Sequence, residues 1–487
     1  MLLDAKICES ARQTRDARFD GHFFIGVTTT GVYCRPICPV RIPKAKNVQF
    51  YPSAAAAAEA GFRPCLRCRP ESSPGTPAWN GTSVTVSRAL KLIASGALNE
   101  GNVEELSETL GIGSRHLLRL FHKHLGASPL AVAQTQRLHF AKKLIDETDL
   151  PMTEIGFASG FNSVRRFNDA FQKTYGRTPS KLRKTKSGEN GKSNRIHLQL
   201  RFRPPFDWKS LLNFLGTRAI PGIEVVDASC YRRTIEMEGE KGDFELRFYE
   251  EKNYLDLEIR FPDSKALFKI VERIRRLVDL GADTMEISNH LSKDQFLAPL
   301  LESFPGIRVP GAWDGFEIAV RAVLGQQITV KAATTLAGRL AKAYGEKWQS
   351  TDQDHLTLFF PTADVLSRAD LTEIGLTKSR SQTIREMATA VCEGKLCFDG
   401  TVEFKTFVRQ IKEIRGIGDW TAQYIGLRAL GEPDAFPSTD LGLLKAGASG
   451  DEKISPKELM ERSLPWRPWR AYATMYLWKA YQSATER

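Results

Sequence analysis

GVYCRPICP at residues 31–39 and GFRPCLRCRP at residues 61–70 place four cysteines, Cys34, Cys38, Cys65 and Cys68, in a C-x3-C and a C-x2-C pair. Spacings this short let two thiolates reach one metal at about 2.3 Å, and two such pairs complete the tetrahedron that zinc prefers. A metal held in this way orders a segment too poor in core residues to fold otherwise. The expectation is a small zinc-bound domain over residues 1–75, with one Zn2+ and four Cys ligands. Arg35, Arg41, Lys44, Lys46, Arg63, Arg67 and Arg69 crowd the same stretch, and cations gathered around a thiolate cluster point towards phosphate.

Outward from that segment, 487 residues with 42% hydrophobic content allow three or four domains with real cores. Residues 1–190 hold 27 of the 69 Lys+Arg and 16 of the 57 Asp+Glu, so +11 of the formal +12 lies in the front part. Such a charge is a prior for nucleic acid that motifs must sharpen. No apolar run is long enough to span a bilayer, and the opening MLLDAKICESARQTRD lacks the apolar core of a signal peptide. A cytoplasmic protein without a membrane partner is expected. Cys8, Cys230, Cys392 and Cys397 form no second paired pattern and read as reduced, mostly buried thiols.

Two polar stretches, ESSPGTPAWNGTS at 71–83 and RKTKSGENGKSN at 183–194, read as linkers. Between them, residues 84–182 carry apolar residues at three- and four-residue spacing and are expected to be all helical. Beyond them, the alternation from His197 to Arg203 predicts a strand, with further strands around 224–237, 243–248 and 254–261 before a helix over 264–280. Residues 195–285 thus form an α+β unit, and 286–487 return to helical periodicity. The fold class is multidomain α+β.

One local design occurs twice in the helical interval. Val103, Leu106 and Leu110 form a helix face, Gly111-Ile112-Gly113 turns the chain, and Ser114 is expected to cap a helix whose Leu117, Leu118 and Phe121 pack inward. Met152, Ile155 and Ala158, the turn Gly160-Phe161-Asn162, the cap Ser163, and inward Phe167 and Phe171 repeat it. A glycine turn that frees the second helix to enter a major groove is helix-turn-helix logic. Outward Arg115, His116, Arg119 and Lys123, with Arg165, Arg166, Asn168, Gln172 and Lys173, suit contacts to phosphates and base edges. GFASGFNSVRRFNDAFQKTYGRTPSKLR at 156–183 resembles the end of AraC-type DNA-binding domains. The resemblance implies two reading motifs joined by a linking helix, here residues 128–147.

Near the C-terminus, IRGIGDWTA at 414–422 sets Gly416 and Gly418 between helical segments, where bare backbone N–H groups can approach a phosphate. With DAFPSTDLGLLKA at 434–446 and WRPWRAYATMYLW at 466–478, the stretch from about 195 to 487 resembles helix-hairpin-helix DNA glycosylases of the AlkA type. The resemblance implies Asp440 as the catalytic carboxylate, and Trp420, Tyr424 and Trp478 as walls of a base pocket. A carboxylate suits this chemistry because breaking an N-glycosidic bond builds positive charge on the sugar. Trp420 stands where lyase-active relatives place a Schiff-base lysine, which implies excision without strand cleavage. GAWDGFE at 311–317 and VLGQQI at 323–328 resemble the strand-wedging region, with Gln327 as the aligned wedge. Asp434 reads as a local hydrogen-bond acceptor.

FDGHFFIGVTTTGVYCRPICP at 19–39 and GFRPCLRCRPE at 61–71 resemble the N-terminal domain of adaptive-response Ada proteins. Cysteine spacing alone leaves a structural zinc clip open. The resemblance implies that Cys34 is both a ligand and a nucleophile that takes a methyl group from a DNA methylphosphotriester. No P-C-H-R-type motif accompanies it, so an O6-alkylguanine transferase unit is not expected. Together these readings describe a DNA alkylation repair enzyme and transcriptional regulator. Its expected partners are double-stranded DNA, alkylated or at promoters, and RNA polymerase, and a monomer would suffice. The rival readings are a transcription factor whose C-terminal unit only binds DNA, and a glycosylase with an inert zinc site.

Overall fold

The computed structural model describes residues 4–74, 84–183, 195–349, 355–400, 402–448 and 453–485. Most of both expected linkers lies outside the described residues. At the front, Thr28-Thr29-Thr30-Gly31 reverses the chain because Gly31 supplies a left-handed φ of +63°. The hairpin joins β1 (Phe24–Val27) to β2 (Val32–Cys34), with Ile25 opposite Cys34. β3 (Val48–Tyr51) pairs with the other side of β1, and β4 (Arg63–Pro64) runs parallel to β2, giving the order β3-β1-β2-β4. A short helix, Ala54–Glu59, is capped by Ser53 and buries Ala54 to Ala57.

Helices Val103–Leu110 and Ser114–Leu125 form the first reading motif, and Met152–Ala158 and Val164–Tyr175 form the second. The linking helix Pro129–Glu147 joins them, with Ser128 as its cap and Pro129 in its first turn. Gly111 (φ +72°) and Gly160 (φ +80°) make the two turns. Ser163 caps its helix through the Arg166 amide. Ser114 does not: it is the first helical residue, and Gly113 holds the cap position with extended backbone and no side-chain bond. Leu117 and Phe121 are fully buried, but Leu118 is 41% exposed. One residue beyond Leu117 it sits about 100° round the helix, off the inward stripe.

The expected strands appear with shifted ends as β5 (Arg195–Arg201), β6 (Glu224–Val226), β7 (Cys230–Met237), β8 (Glu240–Tyr249) and β9 (Tyr254–Arg260). All pair antiparallel in the order β5-β9-β8-β7-β6. A turn in which Asp227 accepts the Ser229 and Cys230 amides splits the single stretch expected over 224–237. The following helix is Leu267–Leu277, shorter than 264–280, and helices dominate from Thr284 to the end. Cys8 and Cys230 are buried as expected, whereas Cys392, at the end of helix Lys378–Cys392, is exposed and Cys397 half-exposed.

The cores cross the sequence units. Leu138, Phe140, Ile155, Phe167 and Phe171 of the second reading motif and its linking helix belong to one apolar cluster with Leu198, Phe244, Leu257 and Ile270 of the sheet unit. Ala55 and Ala56 of the cysteine unit pack with Val86, Leu117 and Phe121. A buried ionic cluster ties the same three parts: Arg69 meets Asp146 and Glu147 at 3.0 Å, Lys142 meets Asp146 at 2.5 Å, and Lys143 meets Glu147 at 2.7 Å and the Gln199 carbonyl. Among the described residues no helix is long and apolar enough to cross a membrane.

Candidate metal centre and candidate active site

Cys34 ends β2 and Cys38 follows one turn later, where its amide donates to the Arg35 carbonyl at 3.1 Å. Cys65 follows β4, and its amide donates to the Tyr33 carbonyl at 3.0 Å. The two strands thus set the two cysteine pairs face to face. The four Sγ atoms lie within 4.8 Å of one another, and all four residues are buried. Sulfurs 2.3 Å from a common zinc would stand about 3.8 Å apart, so this donor set fits Zn2+. Hydrogen bonding among the sulfurs pushes the Cys34 and Cys68 thiols far up and the Cys65 thiol down. Four thiolates within 4.8 Å of one another repel, and a dication among them is what would let all four ionise together. The Arg35 amide donates to Cys68 Sγ at 3.3 Å, while its guanidinium pairs with buried Asp20.

Both reading helices turn their charged faces outward. Arg115, His116, Arg119 and Lys123 on one, and Arg165, Arg166, Asn168, Gln172 and Lys173 on the other, are exposed. Arg119 Nη2 lies 2.9 Å from His116 Nδ1, and the guanidinium of Arg165, 91% exposed, has Asp169 only at 3.9 Å.

In the C-terminal unit, Asp440 caps helix Leu441–Gly447, its Oδ1 accepting the Leu443 amide at 3.0 Å. The same oxygen accepts Trp478 Nε1–H at 2.9 Å, and Oδ2 accepts Trp420 Nε1–H at 2.8 Å. Two indoles from distant helices thus grip one carboxylate. Trp420 stacks on Tyr424 with centroids 5.3 Å apart at 17°, and Trp478 lies 6.2 Å from Tyr424 at 52°. These residues line a cavity of about 320 Å³. Gly442 permits the approach: a Cβ there would stand 3.1 Å from Asp440 Oδ1 and 3.4 Å from Trp478.

Sequence reasoning missed the other walls. Phe214 and Arg218 come from the end of helix Trp208–Gly216 and just beyond it, in the sheet unit. Phe214 stacks on Trp478 at 6.2 Å, with Arg218 3.7 Å and Arg428 4.8 Å from its ring centroid. No local pattern marks Phe214, which reads as one more apolar position on an amphipathic helix. Arg428 donates to Tyr424 Oη at 3.1 Å. Burial alone would raise the Tyr424 phenol, but Arg428, Arg218 and Arg321 bring it below the usual tyrosine range.

At the hairpin, Gly416 has φ +92°, and a Cβ there would meet Thr383 Oγ1 at 2.4 Å. Gly418 precedes helix Asp419–Ile425, is exposed, and has nothing within 4 Å of its Cβ direction. Gln326 Nε2 donates to the Gly416 carbonyl and Thr421 Oγ1, both at 2.9 Å, joining the neighbouring turn to the hairpin. In that turn Gln327 is exposed with φ +58°, a strained geometry of the kind that gathers at functional sites. Asp434 is an anchor, paired with Arg467 and Arg470 at 2.7 Å each.

Family models match four successive parts of the chain: the metal binding domain of Ada at 7–71, a helix-turn-helix domain at 106–185, the AlkA N-terminal domain at 197–314, and the HhH-GPD superfamily of base excision DNA repair proteins at 320–468. The chain is 40% identical over 479 residues, 98% of its length and 96% of the relative, to the probable bifunctional transcriptional activator/DNA repair enzyme AlkA of Mycobacterium tuberculosis. It is 29% identical over 282 residues, 57% of this chain and 95% of the relative, to DNA-3-methyladenine glycosylase 2 of Escherichia coli. The solved 3-methyladenine DNA-glycosylase from Archaeoglobus fulgidus shares the fold, with a TM-score of 0.51 and 21% identity over 58% of this chain and 98% of that one.

Proposed function

The chain belongs to the family of bifunctional transcriptional activators and DNA repair enzymes of the AlkA type, and from that premise we propose how its residues divide the work. The protein is a monofunctional DNA-3-methyladenine glycosylase, a single-turnover methylphosphotriester methyltransferase with a zinc site, and a DNA-binding activator. We assign these tasks to residues 286–487 with 195–285, to 1–75 and to 84–182. RNA polymerase is the partner an activator implies. A monomer suffices, because one chain carries both reading motifs, and a DNA substrate puts the protein with a bacterial-type nucleoid in the cytoplasm.

The observation that carries the excision assignment is the grip of Trp420 and Trp478 on Asp440 at the wall of an aromatic cavity. A flipped cationic purine gains about 0.5–2 kcal/mol from such ring faces. As the C1′–N bond breaks, its electron pair leaves with the base, and the positive charge left on the sugar meets the Asp440 carboxylate. Water then adds to C1′ and passes its proton to Asp440. With an indole at position 420, the hairpin carries no amine where a Schiff base would form, so the strand stays intact. Amides of the Gly416 to Gly418 turn hold a phosphate, and Gln327 fills the space the flipped base leaves. Arg115, Arg119, Arg165 and Arg166 make the reader's DNA contacts.

At the front, Zn2+ bound by Cys34, Cys38, Cys65 and Cys68 supplies deprotonated, nucleophilic sulfur at neutral pH. Cys34 sulfur attacks the methyl carbon, the methyl C–O bond breaks, and its electron pair stays on the phosphate as an ordinary diester. The cluster loses one negative charge, which lessens its repulsion of DNA and favours tighter binding by the adjoining basic helices.

Base release from N-methylpurine DNA tests the first assignment. Asp440→Asn should abolish it, and undiminished release would overturn the role of Asp440. Labelled methyl should be found on Cys34 by peptide mass spectrometry after exposure to methylphosphotriester DNA; its absence would leave the zinc site structural.

A further inference from the structure

The helix that carries Trp420 and Tyr424 does not end where its α-helical part ends. Asp419–Ile425 continues without a break into a π-turn, Gly426–Leu430, closed by Gly431 in the left-handed region at φ +60°. At its front end stand the exposed hairpin glycine Gly418 and Trp420, which grips Asp440. In its last turn Arg428 is fixed by the Pro310 carbonyl at 2.6 Å, the Gly311 carbonyl at 3.1 Å and Tyr424 Oη at 3.1 Å. The Gly431 and Glu432 amides both turn back to the Gly426 carbonyl, and among the described residues no backbone amide donates to the final carbonyl, Leu430 O. It is taken by Lys91 Nζ at 2.6 Å.

Lys91 belongs to helix Val84–Ala94, at the front of the DNA-reading part of the chain. A cation at a helix C-terminus satisfies an orphan carbonyl and the helix dipole together. The position is an expensive one for an ammonium. Burial pushes Lys91 down to about 8, Glu432 opposes that shift, and Arg276 and Arg88 add to it.

We infer that Lys91, supplied by the DNA-reading part, is a positioning residue for base excision: it holds the C-terminal end of the pocket helix and so sets Trp420 against Asp440. Displacing a reacting carboxylate by about 1 Å can cost on the order of a hundredfold in rate, so a cap at one end of this short helix has leverage at the other. The contact also makes the seating of the reader on the repair unit a determinant of excision rate. The inference rests on the glycosylase reading above.

The test uses the full chain. Single-turnover release of alkylated base and affinity for the same duplex are measured for wild type, Lys91→Met and Lys91→Arg, with thermal melts to establish folding at the assay temperature. Methionine keeps the stem and removes the donor; arginine restores one. Lys91→Met should slow release about five- to twentyfold with duplex affinity within about twofold, and Lys91→Arg should recover most of the rate. A wild-type rate for Lys91→Met, equal losses in both variants, or a loss expressed only in affinity would overturn the inference. A wild type that releases no base would instead overturn the glycosylase reading, and this inference with it.

Discussion

Trp478→Phe isolates the hydrogen-bonding role of one indole from its packing. Phenylalanine keeps a smaller ring against Phe214, now 6.2 Å from Trp478, and removes the Nε1–H that donates to Asp440 Oδ1 at 2.9 Å. Asp440 keeps the Leu443 amide and Trp420 Nε1–H, so the carboxylate stays tethered but is free to turn. A hydrogen bond to a charged group contributes about 1.5–3 kcal/mol, with the lower end appropriate to a half-exposed indole. If that contribution acts on the transition state, about 1.5 kcal/mol is roughly a tenfold loss in rate. Single-turnover release of 3-methyladenine at saturating enzyme should show it in the rate and not in the binding constant. Trp420→Phe should lose a similar amount. The double variant should lose more than the product of the two, because either indole alone still holds the carboxylate plane and only the double variant frees it. A Trp478→Phe rate within twofold of wild type, or a loss seen only in binding, would refute the grip and leave the indoles as pocket walls.

Gly416→Ala should destabilise the protein by about 1–3 kcal/mol, since it combines φ +92° with a Cβ 2.4 Å from Thr383 Oγ1. Gly418→Ala should leave the melt unchanged while weakening affinity for duplex DNA, and equal melting losses for the two would contradict the hairpin geometry. Replacing Arg165 and Arg166 by Ala should lower the slope of log affinity against log salt by about 1.8 if both hold phosphates, with base release on short duplexes retained. An unchanged slope would remove them from the DNA contact. Burial holds His22 and His139 down to about 4 from an ordinary 6.5. Their folded pKa values are depressed, so their protonation opposes folding: the stability they carry is complete above about pH 6.5 and is lost as pH falls towards 4. Denaturant midpoints should drop across that window, and His139→Phe should flatten the drop; an identical pH profile for the variant would refute it.

Much of the local design is legible in the chain because it depends on interactions between near neighbours. Alternation from Ile196 to Leu200 marks a strand with one buried face, since the side-chain period of a strand is two. Gly111 and Gly160 mark turns because only glycine adopts their left-handed backbone at little cost. The limits of such reasoning are local too. Ser114 looks like a cap, but Gly113 can adopt the extended cap geometry one residue earlier. Leu118 looks like core, yet Leu117 and Phe121 fill the inward stripe, and a neighbouring leucine must face out.

Cysteine spacing by itself determined a metal tetrahedron, hydrophobic periodicity determined the succession of helices and strands, and paired glycines determined the turns and the hairpin. Tertiary structure decided the rest. It brought Trp420 and Trp478 to opposite oxygens of Asp440, placed Phe214 and Arg218 from the sheet unit in the same pocket, merged reading-motif and sheet side chains in one core, and set Lys91 on the end of the pocket helix. The physical reason is that backbone sterics and helix or strand period act within a few residues, whereas contacts between distant segments are selected by how whole surfaces pack.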